Sequence, residues 1–452
     1  MVTCGMSVRL RTQIALIGLL ALGIRLFYIL AIAPAPTGVG GDAGFYHSAA
    51  NLIANGHFLY RGIFGHAYHT AEHPPLYPLV LSVSSLAGGD TLTAHRVVSC
   101  VIGTGGVILI AILARRVAGD RAGLIAAAVA AVYPPFITAD GLVMSEPLFV
   151  LTVTAALLAA LALLQRPSVS AAALLGAAIA LATLTRGEGI LLLPLLAWPA
   201  AVLADGSSRR DRALAATATA ALILAPWVIR NAVVFHDATL AADSNTVVAG
   251  ANCPQTYYGH DIGWWSNRCL ERARTREQLL VGDASTSAAY SYAGDHLTRL
   301  PLIAVVRVLR TFNFFQSLRQ GNREPRAKWV DIVGLVIYYP LLVLAVIGAV
   351  KLPDHRARWV LLAPVAMVII VSALTWGIGR FRIAADVSII VFAAATFAAT
   401  PPRARAGSTR MAAASDPAQP AGSATSSRAW RQTMRALRPR TGRPSRAAAR
   451  GV

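Results

Sequence analysis

The residues best suited to chemistry in this sequence are two carboxylates, Asp42 and Glu146, and four arginines, Arg186, Arg230, Arg380 and Arg382. Each stands at or near the end of a long apolar stretch, where one side chain can meet both water and membrane. A carboxylate within reach of a hydroxyl can take its proton. Arginine forks bind phosphate oxygens bidentately and stabilise charge growing on a leaving group. Acids and arginines gathered on one face would therefore suit displacement of a phosphate by a hydroxyl.

The first carboxylate opens the stretch Gly40-Gly41-Asp42-Ala43-Gly44-Phe45-Tyr46-His47, which continues to Gly56. Asp42 suits the N-cap or first turn of a short helix. Phe45, Ala49, Leu52 and Ile53 then recur at the spacing of one apolar helix face. Tyr46 lies four residues after Asp42, so the two share a face and Tyr46 joins the candidate binding residues.

The elements that must position these groups are membrane helices. The chain is 56% hydrophobic and 14% charged, whereas soluble domains carry about 25% charged residues. Crossing a core of about 30 Å takes about 20 apolar residues. Residues 12–33, 95–115, 121–138, 147–165, 170–186, 189–204, 213–230, 330–350, 358–376 and 383–400 qualify or come close. The expected fold is an all-α integral membrane bundle of about ten transmembrane helices, with interfacial helices at 76–87 and 300–318. The first segment, although preceded by Arg9 and Arg11, is long for a signal peptide and reads as a retained helix.

With the N-terminus inside, Arg115, Arg116, Arg121, Arg166, Arg209, Arg210, Lys351 and Arg356 all fall on the cytoplasmic face, as the positive-inside rule requires. Asp42, His66, His69, Glu72, His73, Asp140, Glu146 and the four arginines named first then fall on the opposite face. The polytopic domain spans residues 1–400, with extracytoplasmic loops at 34–94 and 231–329. Cys253 and Cys269 share the second loop, and a disulfide is their natural reading if that loop faces an oxidising side. The Tyr257-to-Trp265 aromatics could stack on sugar rings or anchor at lipid headgroups. Residues 401–452, with eleven Arg and one Asp, read as a disordered, basic cytoplasmic tail able to touch anionic lipid. Because much of the net charge of +20 sits there and in short loops, nucleic acid is not an expected partner.

Taken in order, several motifs resemble the GT-C glycosyltransferases. They are Gly41-Asp42 with Tyr46, His73-Pro74-Pro75-Leu76-Tyr77-Pro78, Ser145-Glu146-Pro147, Thr185-Arg186-Gly187-Glu188, Pro226-Trp227-Val228-Ile229-Arg230-Asn231 and Gly379-Arg380-Phe381-Arg382. The spacing is similar to the branch of protein O-mannosyltransferases and lipid A aminoarabinose transferases, including RgtA/B/C/D-like proteins. The resemblance covers residues 12–400. It implies sugar transfer from a polyprenyl-phosphate donor to a glycan, lipid or protein hydroxyl at the extracytoplasmic face of the plasma membrane. It makes Asp42 the base of an inverting displacement, or the carboxylate that orients the acceptor, and Glu146 a supporting acid. His73, Arg380 and Arg382 become contacts of the lipid phosphate. Arg186 and Arg230 are candidates for phosphate binding or for pairing with Glu188. Relatives often carry an acid directly after the first aspartate, where this chain has Ala43. No resident metal is required, although a divalent ion bridging Asp42, Glu146 and phosphate fits the same residues. The alternative function is transport or flipping of a lipid-linked or anionic solute, which would place essential charges at mid-membrane; the clearest such charge is Arg25.

Overall fold

The computed structural model describes residues 6–33, 41–63, 66–242, 244–271, 283–321 and 328–398. The basic tail expected at 401–452 lies outside the described residues, as do residues 34–40 of the first loop. Helix α1 (Val8–Phe27) starts on a Ser7 side chain that accepts from the Leu10 amide, and runs on through a π turn to Ile32. The first loop then forms α2 (Gly41–Ala54), the antiparallel hairpin β1 (Tyr60–Ile63) and β2 (His66–His69) with Tyr60 opposite His69, and α3 (Leu76–Leu86). Next come α4 (Leu92–Ala118), α5 (Asp120–Val132), α6 (Pro134–Asp140), α7 (Glu146–Gln165) and α8 (Val169–Thr185). A broken stretch, Gly187–Leu203, leads into α9 (Arg209–Phe235). The second loop holds α10 (Ser244–Ala251), α11 (Asp283–Asp295) and α12 (Leu300–Thr311), and the chain closes with α13 (Lys328–Lys351), α14 (His355–Leu374) and α15 (Ile383–Ala395).

Every apolar segment expected from the sequence is helical over its described residues, but the count of about ten spanning helices is not confirmed. Six helices among the described residues are long and apolar enough to cross, or seven if α5 and α6 form one bent span. Length explains the difference. Helix α8 has 17 residues, about 25 Å at 1.5 Å per residue, short of a core of about 30 Å. Pro194 and Pro199 interrupt the stretch after Arg186, which breaks into 3-10, π and α turns. The residue before a proline avoids the helical region, and Tyr133 before Pro134 is extended, which bends α5 against α6 by 56°.

The protein is thus a multi-pass membrane protein whose core sits around α7 and α15, both buried along most of their length. Inside the bundle Arg25 and Asp140 form an ion pair at 2.5 Å, with both side chains almost fully buried. Gly103 faces that carboxylate, and a Cβ there would occupy its space. In helix α12, Arg307 and Arg310 are buried with Ile303 and Val306 and donate to the carbonyls of Ala251 and Ile262, while Leu302 and Val305 stay exposed on the other side.

Candidate active site

The helix ends that carry the candidate residues meet at a cavity of about 790 Å³. Asp42, Glu146, Arg380 and Arg382 all border it, as do Trp264, Trp265 and Trp376. Asp42 sits in the first turn of α2, where the helix dipole favours a carboxylate. Beside the cavity, Arg380 donates to its Oδ2 at 3.0 Å. His73 Nε2 stands 3.8 Å from Oδ1, an ion-pair distance too long for a hydrogen bond. Burial pushes the Asp42 carboxyl up, but His73 and Arg380 together outweigh it and hold the group well below the usual carboxylate range.

Glu146 opens α7 and is buried, with Oε1 accepting from Arg186 at 3.1 Å. Its Oε2 has no partner among the described residues. Arg382, in the 3-10 turn before α15, pairs with Asp386 at 2.7 Å and lies 3.6 Å over the Tyr338 ring. Its Nη1 likewise lacks a partner. Two acceptor or donor positions are therefore left over beside the Asp42–Arg380 pair.

The other candidates are placed differently. Tyr46 does not border the cavity; it is buried, stacked on His73 with centroids 5.0 Å apart and set edge-on to Tyr77. It packs on the His73 ring, whose Nε2 stands 3.8 Å from Asp42. Burial raises the Tyr46 hydroxyl pKa above its usual value. Arg186 is held between Glu146 and Glu188, the latter at 2.5 Å, with its guanidinium over Phe381. Of the two roles open to it, pairing is the one the structure displays. Arg230 is not brought to the cavity at all; it donates to the first-loop carbonyls of Thr70 and Leu59 and lies over Trp227 and Phe235. Cys253 and Cys269 are joined as a disulfide, and the segment between them forms part of the cavity wall.

Sequence reasoning missed Asp386 and Trp376. Asp386 was signalled by its position four residues after Arg382 on one helix face. Trp376 carries no comparable local signal. No group of three or more His, Cys, Asp or Glu that could hold a metal occurs among the described residues. Asp42 and Glu146 each face an arginine, and a divalent ion held there would draw its remaining oxygen ligands from phosphate and water.

An apolar groove of about 150 Å³ adjoins the cavity through Pro134, Thr138 and Val330. Ile24, Phe27 and Ile32 from the first helix and Trp329 and Val333 from α13 form its walls.

Residues 72–229 match the family model of dolichyl-phosphate-mannose-protein mannosyltransferases. No curated protein matches the chain. Among solved structures, the archaeal oligosaccharyltransferase AglB from Archaeoglobus fulgidus, in complex with an inhibitory peptide and a dolichol-phosphate, aligns at TM-score 0.50 and 17% identity, over 86% of this chain and 50% of that one. ArnT from Cupriavidus metallidurans bound to undecaprenyl phosphate aligns at TM-score 0.42 and 17% identity, over 85% and 76%. The S. cerevisiae Pmt1-Pmt2 complex bound to the sugar donor aligns at TM-score 0.41 and 18% identity, over 54% and 36%. The chain spans about half the length of the AglB chain it matches.

Proposed function

For a chain with the fold of the GT-C superfamily of membrane glycosyltransferases, we propose transfer of a sugar from a polyprenyl-phosphate donor to an acceptor hydroxyl, at the extracytoplasmic end of the bundle. The observation that carries this reading is the pairing of Asp42 with Arg380 on the lining of a cavity that an apolar groove adjoins. The groove suits a prenyl chain, and Arg380 and Arg382 suit the phosphate at its head.

The free site holds Arg380 against Asp42, and a carboxylate kept so far below its usual range is a weak base. An arriving lipid phosphate competes for Arg380. Once that arginine turns to phosphate, Asp42 loses its cationic partner and its affinity for a proton rises. The acceptor oxygen then attacks the anomeric carbon from the face opposite the phosphate. A new C–O bond forms as the bond to the phosphate oxygen breaks. The acceptor proton passes to Asp42, and the phosphate departs with the bonding electrons, its charge met by Arg380 and Arg382. Attack from the opposite face inverts the anomeric centre. The unpartnered Oε2 of Glu146 receives a hydroxyl of the acceptor or of the sugar.

The extracytoplasmic placement rests on charge. Arg115, Arg116, Arg166, Arg209, Arg210 and Arg356 gather at the bundle end away from the cavity, as cytoplasmic ends do. The acceptor is a glycan, lipid or protein hydroxyl, and bilayer lipids surround the rest. Membrane vesicles containing the protein and supplied with a labelled prenyl-phosphate sugar should yield labelled acceptor. Uptake of solute with no transfer would overturn the reading in favour of a transporter.

A further inference from the structure

The cavity that Asp42 borders is also lined by three tryptophans whose surroundings differ. Trp264 is buried beneath the Arg310 guanidinium, 4.6 Å from its ring, and serves packing. Trp265 and Trp376 are only partly buried, and their ring centroids lie 6.2 Å apart at 39°. Both are fixed from behind. Trp265 donates its indole N–H to the Thr246 carbonyl and lies flat on Gly250, where any Cβ would enter the ring. Trp376 meets the edge of Phe381 at 4.8 Å, and Phe381 in turn lies under Arg186.

The two rings come from segments far apart in sequence, yet one buried side chain holds both. Arg307 donates to Ala251 O at 2.8 Å on the first segment and to Ala373 O at 3.2 Å on the second. The Gly377 amide adds a direct link to Gly263 O at 3.0 Å. Burying an arginine is expensive unless its donors are used, so this much fixation implies that the spacing of the rings matters. Membrane anchoring does not explain them. Trp359 and Trp198 are exposed and line no cavity, as anchors are expected to be, whereas Trp265 and Trp376 line a cavity.

We propose that Trp265 and Trp376 form a stacking floor for a monosaccharide ring, with Asn267 and Asp261 beside them to meet its hydroxyls. The apolar C–H face of a sugar ring complements the electron-rich face of an aromatic ring, and pre-fixed rings bind with little entropy loss. The inference rests on the proposed sugar transfer, and names what occupies this part of the cavity. The ring comes either from the donor or from a glycan acceptor.

The test compares Trp376→Tyr and Trp265→Tyr, which keep a ring, with Trp376→Met and Trp265→Met, which keep bulk and apolarity without one. The KM for the prenyl-phosphate sugar and the KM for an oligosaccharide acceptor are measured separately. The expected result is a rise of about tenfold in one KM for the Met variants, with kcat within about threefold and the Tyr variants near wild type. A rise in the donor KM assigns the floor to the donor sugar, and a rise in the acceptor KM assigns it to a glycan. Equal KM values in all variants, or a loss of kcat that Tyr does not rescue, would overturn the proposal. If the Met variants do not fold, the Asp42→Asn protein, titrated with prenyl-phosphate sugar, sugar-free prenyl phosphate and free oligosaccharide, replaces them. The sugar-bearing probes should then shield the two indoles from a water-soluble quencher, and sugar-free prenyl phosphate should not; equal shielding by all three would overturn it. Sugar-dependent shielding without any wild-type transfer would remove the enzymatic reading and keep the stacking floor, whereas transfer with no KM change would do the reverse.

Discussion

Two aspartate–arginine pairs in this protein use the same chemical groups for opposite ends. Arg25 and Asp140 meet inside the bundle with side-chain exposures of 0% and 2%. Arg25 also donates to the carbonyls of Ala21 and Ala131, and Gly103 leaves just enough room for the carboxylate. Asp42 and Arg380 meet at 34% and 27% exposure, on the wall of a cavity a ligand can enter. The first pair is locked, because parting it would strand a charge in a medium that cannot solvate it. The second is exchangeable, because water or a phosphate can replace either partner. Environment, not residue type, separates the structural pair from the reactive one.

The comparison breaks most sharply on Asp42. Asp42→Asn should lower transfer by about 10²- to 10⁴-fold while moving the melting temperature by no more than about 2–4 °C. At the buried pair the balance should reverse: Asp140→Ala leaves Arg25 unpaired and should cost about 3–5 kcal/mol of stability. Thermal unfolding in detergent reads this, and Arg25→Leu combined with Asp140→Leu should regain much of the loss. Similar stability costs at both pairs would remove the distinction.

A third effect concerns Arg380. Arg380→Met should weaken binding of a prenyl phosphate by about 10- to 100-fold, the worth of a charge-assisted contact. It should also change the pH profile. With Arg380 in place Asp42 stays ionised, and wild-type activity should show no acid limb from this group down to about pH 5. Losing the cation leaves only His73 to oppose burial, so an acid limb should move upward in pH. The sign for stability follows the same depression. Ionised Asp42 contributes stability that is present above the unfolded carboxyl pKa of about 3.9 and is lost as pH falls through the lower folded value. The smallest effect is at Cys253–Cys269, whose bond closes a segment of the cavity wall. Reduction should raise one substrate KM by about two- to fivefold, in the direction of the Trp265 variants.

Much of this is legible in the sequence where local rules apply. Gly41-Asp42 and the apolar spacing after it announce α2, and each apolar segment is helical. The arginines show where local rules fail. Arg307 and Arg310 share a helix face with Ile303 and Val306, so periodicity alone could place them inward, yet two charges in an amphipathic helix suggest an interface. Arg25 and Asp140 are 115 residues apart, and nothing near either one names the other. Arg230 and Arg380 sit at equivalent-looking helix ends, but only tertiary packing sends one to loop carbonyls and the other to the cavity. Spanning length was the remaining gap, since hydropathy marks apolar segments and not the prolines' effect on their geometry.

The central claim is that Asp42 and a lipid phosphate compete for Arg380. Equilibrium binding of a short prenyl phosphate to purified wild-type and Asp42→Asn protein, with transfer measured on the same samples, tests it most directly. The account predicts that Asp42→Asn binds the prenyl phosphate more tightly while losing transfer, because removing the carboxylate frees the arginine and takes away the proton acceptor. Weaker binding by Asp42→Asn, or transfer equal to wild type, would contradict it.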